Sequence, residues 1–79
     1  MTQLHPAPHS TDLYRRLMQL AVHAQELRAR CRRLHRALAH LSVQRRPGAE
    51  QELREVQGEL ARVDTAIANV KAALALGAA

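Results

Sequence analysis

The sequence predicts an all-α protein, an antiparallel two-helix hairpin of coiled-coil type that can pair with a second copy as a four-helix bundle. Three observations predict it. Apolar or small residues recur at alternating steps of four and three from Leu13 to Leu41, the same rhythm returns from Ala49 to Leu74, and a Pro-Gly pair separates the two runs. A repeat averaging 3.5 residues keeps one stripe of a helix turned toward one partner along its whole length.

Residues 1–10 read as a flexible tail, because Pro6 and Pro8 each remove a backbone donor and bias the preceding residue away from helix. Ser10, Thr11 and Asp12 can each cap a helix start by accepting from the free N–H groups of the first turn. The first helix is predicted over 11–45. With Leu17 as heptad position a, Leu17, Ala24, Cys31 and Leu38 occupy a, and Leu13, Leu20, Leu27, Leu34 and Leu41 occupy d. Arg46-Pro47-Gly48 is the expected turn (46–48), since Pro disfavours helix before it and Gly accepts the left-handed backbone of many helix ends.

The second helix is predicted over 49–76, with Leu53, Leu60, Ile67 and Leu74 at a and Ala49, Val56, Val63 and Val70 at d. Gly77 is its natural stop. The hairpin thus occupies 11–77. Folding it about Pro47 sets Leu41 against Leu53, Leu34 against Leu60, Cys31 against Val63, Leu27 against Ile67 and Leu20 against Leu74, with Arg28 facing Asp64 at one edge.

Composition narrows the function classes. Tyr14 is the only aromatic residue, which removes the stacking platforms of most single-strand nucleic-acid binders. Net charge is +5 and uneven. From Thr11 to Arg46, nine Arg stand against Asp12 and Glu26, a balance of +7; from Pro47 onward, three cations stand against five carboxylates, a balance of −2. A basic helix is expected to lie on an acidic one, with any surplus available to an anionic partner. The lone Cys31 excludes an intrachain disulfide framework. The chain opens without a basic-then-apolar leader and holds no apolar run of the roughly 18 residues that span a membrane, so a cytoplasmic location is expected.

No constellation for catalysis is legible. There is no Gly-rich phosphate loop, no Cys-x-x-Cys and no nucleophile with a recognisable base. His23, His35 and His40 fall at g, e and c, and no two of them share the three- or four-residue spacing that would place two ligands on one helix face. The chain is therefore expected to be no enzyme and to carry no metal or cofactor. Arg28, Arg30, Arg32, Arg33 and Arg36 are the candidate anion-binding residues. They project at e, g, b, c and f and so surround the helix, a pattern that reads first as a solvated face and second as contacts to nucleic-acid phosphates or to an acidic protein.

The last third of the chain is the more suggestive stretch. Ala66 and Ala73 at g extend the apolar stripe of Ile67, Val70 and Leu74, and Met18, Leu20, Ala21 and Val22 lie near the same end of the hairpin. One helix cannot cover all of this surface, and uncovered apolar patches mark binding sites. The candidate partner-binding residues are therefore Met18, Leu20, Ala66, Ile67, Val70, Ala73 and Leu74.

The opening Met1-Thr2-Gln3-Leu4, the Arg-rich first helix ending at Arg45-Arg46-Pro47-Gly48, Gln51 at the start of the second helix, and the run Thr65-Ala66-Ile67-Ala68 with Val70 resemble one known family. It comprises the cytoplasmic E components of type III secretion needle assembly. The resemblance implies a helical co-chaperone that joins a helical-repeat chaperone to keep the needle subunit monomeric, docking by its apolar helix faces. A protein interaction module of this kind is the leading reading. A basic coiled-coil nucleic-acid binder and a self-associating homodimeric bundle are the rivals.

Overall fold

The computed structural model describes residues 8–78, with side chains over 10–77. It consists of α1 (Pro8–Leu38, 31 residues) and α2 (Arg46–Ala78, 33 residues), packed on one another as an antiparallel hairpin. At 1.5 Å per residue each helix is about 45–50 Å long. Among the described residues there is no strand, and no helix is long and apolar enough to cross a membrane.

The heptad stripes form the seam. Ala24, Leu27, Val56 and Val63 are its buried centre, Leu53 and Val70 are buried further along, and Leu20, Cys31, Leu34, Leu60 and Ile67 pack against them half-buried. Every one of these is an a or d residue. Ala24 is 0 % exposed; a methyl group at the middle of the seam lets the two helices approach closely. The core is one side chain thick, and among the described residues no large side chain is completely enclosed.

Charged residues line both edges and set the direction and register of the pairing. On the g edge, Arg30 donates from Nη2 to Oε1 of Glu52 at 2.6 Å, and His23 Nε2 lies 3.1 Å from Oε1 of Glu59. On the e edge, Arg28 donates from Nη2 to Oδ1 of Asp64 at 2.9 Å, the pair the sequence predicts. Moving seven residues forward in α1, from His23 to Arg30, moves the partner seven residues back in α2, which is the antiparallel relation.

These pairs also correct the expected core register. Interpolating between the two edges places Ala24 level with Val63, Leu27 with Leu60, Cys31 with Val56 and Leu34 with Leu53. The helices are therefore displaced by one heptad from the layers expected from a fold about Pro47. In the observed register the outer ends are flush, with Pro8 near the level of Ala78.

The cause is the position of the turn. α1 ends at Leu38, not near Arg45, and the connection is 39–45, not 46–48. The end of α1 tightens through bonds from Ala39 N to Arg36 O and from His40 N to Ala37 O. Arg36 places positive charge in its last turn, where the helix dipole favours it. The next helix begins where the Ser42 carbonyl accepts from both Arg45 N and Arg46 N. Pro47 stands in the first turn of α2, where its missing donor has no intrahelical acceptor and its fixed φ suits the helix. Gly48 follows inside that turn without a positive φ. The Pro-Gly pair thus starts a helix and does not form the bend.

Residues 1–7 of the expected tail lie outside the described residues, but Pro8, three residues before the predicted start, is already helical. Ser10, Thr11 and Asp12 consequently lie within its opening turns and do not precede them; Asp12 pairs along the helix with Arg15 at 3.8 Å.

Candidate docking face

The structure divides the sequence-predicted interface residues into two groups. Val70 is buried in the seam, and Leu20, Ile67 and Leu74 are half-buried there. Ala66 and Ala73 are half-buried at the g edge. Met18 alone among the seven stands well out into solvent. The first group holds the hairpin together, and the outward surface near the open end is built mainly from other residues.

That surface is a line of large apolar side chains on the outer face of α1. Tyr14 is 59 % exposed, Met18 70 % and Val22 56 %. Their four-residue spacing stacks them one turn above another. Around Met18 and Val22 lies a shallow hollow bordered by Gln19, His23 and Glu26. Beside the line, along the e edge, a groove is floored by Leu17, Ala21, Ala24 and Ile67 and closed toward the turn by the Arg28–Asp64 pair. The groove exists because Ala21 and Ala24 are small. Leu76, also well exposed, adds apolar surface at the same end of α2. Tyr14 and Leu76 lie off the a and d stripes, so heptad reading passes over them. The four-residue step from Tyr14 through Met18 to Val22 is the signal that finds the line.

The five candidate anion-binding arginines are likewise divided. Arg28 and Arg30 bridge the seam to Asp64 and Glu52. The hydrogen bond that Arg30 donates to Glu52, with the carboxylate's charge, holds its guanidinium still more firmly protonated than usual. Arg32, Arg33 and Arg36 are exposed, and among the described residues no ion pair engages them. They project at b, c and f, on the outward side of α1 near the turn. What reads in sequence as a ring of charge is in the fold two edge clamps and one outward cluster.

Among the described residues no group of three or more His, Cys, Asp or Glu stands together as a metal set, and Cys31 is a free thiol half-buried in the seam. In comparisons with known proteins, the chain matches no family model, no curated protein and no solved structure.

Proposed function

We propose that this protein is a non-enzymatic helical interaction module, a hairpin that presents the apolar line of α1 to a helix of another protein. The observation that carries the reading is the exposure of Tyr14, Met18 and Val22 in one line, beside a groove that the hairpin itself does not fill. A helix laid along that line buries apolar area from both molecules, at roughly 25 cal/mol for each Å² removed from water. The more specific form of the proposal is a cytoplasmic co-chaperone of type III secretion needle assembly. It rests on the resemblance in 1–4, 45–48 and 65–70.

The test is affinity purification with the full chain and with a Met18→Glu, Val22→Glu variant, bound proteins being identified and then re-tested in purified form. A purified partner that binds the parent and is lost from the variant, with helicity unchanged, is the expected result. A partner bound equally by both places the docking face elsewhere. For the specific form, co-expression with a needle subunit and its helical-repeat chaperone should yield a complex that contains this chain; separate elution of all three rejects it.

A further inference from the structure

The apolar line and the outward arginines share one face of one helix. Met18 and Arg32 both occupy b, and Val22 and Arg36 both occupy f. Each pair is separated by two heptads, or roughly 21 Å at 1.5 Å per residue. Gln25 and Ala29 fill the interval at b and f. The outer face of α1 therefore carries the exposed apolar pair Met18 and Val22 in its first half, beyond the mutually paired Asp12 and Arg15, and a cationic cluster over its last turns.

From this arrangement we propose that α1 recognises an amphipathic helix of another protein, one that is acidic near its N-terminus and apolar about two heptads further on. The inference rests on the docking function proposed for α1 and adds to it the charge, the spacing and the direction of the partner. The direction comes from the dipoles. A helix lying antiparallel to α1 brings its own N-terminal end over Arg32, Arg33 and Arg36, and carboxylates are favoured in the first turns of a helix. The same carboxylates meet the three guanidinium groups that no ion pair engages among the described residues.

A second copy of this chain does not supply that pattern. Laying α1 antiparallel on α2 of another copy, with Met18 on Leu76 and Val22 on Ala72, sets Arg32 against Arg62 and Arg36 against Gly58. Pairing α1 with α1 about a two-fold axis, Met18 on Val22, sets Arg32 level with Pro8. No carboxylate stands at those levels; the nearest on the same faces, Glu55 and Asp12, lie one turn away and are engaged by Gln51 and Arg15. Three of the five carboxylates of α2, on Glu52, Glu59 and Asp64, are already engaged across the hairpin's own edges.

The probes are three synthetic helical peptides of about four heptads, labelled for fluorescence anisotropy and titrated with the full chain at low salt. One carries three Glu in its N-terminal third and an apolar stripe two heptads on. The second replaces those Glu with Gln. The third keeps the Glu and replaces the apolar stripe with Ser and Gln. The first probe should bind at least about tenfold tighter than the second, about 1.4 kcal/mol. That advantage should vanish in an Arg32→Gln, Arg33→Gln, Arg36→Gln variant and shrink as salt is raised.

Equal binding of the first two probes, or an advantage that survives the triple variant, overturns the inference while leaving the docking reading intact, provided Met18→Glu, Val22→Glu abolishes both. No binding by either apolar probe overturns the docking reading as well. Binding of the third probe, or of generic duplex DNA, as tightly as the first makes the cluster a polyanion site and also overturns it. So does a concentration-dependent homodimer, seen by light scattering, that is insensitive to the triple variant.

Discussion

Gly58 occupies an outward f position midway along α2, and the helix runs through it without a break. A Cβ built there meets only the Nη1 of Arg62, at 3.6 Å, an ordinary contact with the tip of a flexible side chain. Gly at a helix interior costs about 0.5–1 kcal/mol relative to Ala, because more backbone freedom is lost on folding. Gly58→Ala should therefore raise the thermal midpoint followed by circular dichroism, by about 2–8 °C for a domain of this size; a lower midpoint would mean that the chain needs the glycine for something other than helix. The Arg28–Asp64 bridge makes a second residue-scale test. Both side chains are about half exposed, so solvent and salt screen the attraction, and a double-mutant cycle should return a coupling of about 0.2–1 kcal/mol that falls as salt is added. A coupling of zero at low salt would remove this pair from the determinants of register.

The pairing of α1 with α2 can be tested with the protein's own thiol. In the observed register Cys31 lies level with Val56. In the register expected from a bend at Pro47 it would lie level with Val63, which is seven residues or about 10 Å away. Under mild oxidation Val56→Cys should close an intrachain disulfide with Cys31, detected as a mass loss of two hydrogen atoms and a mobility shift, and Val63→Cys should not; the opposite outcome would restore the bend to Pro47. The two helices, their seam and the Arg28–Asp64 edge were legible in the sequence because the 3.5-residue spacing reports directly on which side chains share a face. The turn was not. Pro interrupts the backbone bonding of a helix on its N-terminal side and suits the first turn of a helix on its C-terminal side, so Pro47 is equally consistent with ending a segment and with starting one. Nothing between Ala39 and Gln44 carries a Gly or Pro to announce the bend. The proposed docking face was half legible: Met18 and Val22 stand out as apolar residues off the seam, whereas Ile67, Val70 and Leu74 belong to the core that any hairpin of this pattern must build.

At the scale of the whole molecule, the thinness of the core decides how the docking face must be probed. A seam with six buried apolar residues and no fully enclosed large side chain leaves little stability in reserve. Ile67→Glu replaces a half-buried seam side chain beside Leu20 and Ala24 with a carboxylate; Arg28 and Lys71 border the same groove, but the lost apolar packing should lower the thermal midpoint whatever else the residue does. Loss of binding in that variant would carry no information about docking. Met18 and Val22 project outward, and their replacement by Glu should leave the thermal midpoint within the shift of an ordinary surface substitution, about 0.5 kcal/mol or less. A helix that docks on the parent binds the folded state and should raise its midpoint in proportion to the logarithm of the concentration added. The Met18→Glu, Val22→Glu variant should melt like the parent when alone and show no such rise when the acidic–apolar probe is present. If the variant melts far below the parent, the outward line is part of what holds the hairpin closed, and the separation of seam from docking face drawn from its exposure fails.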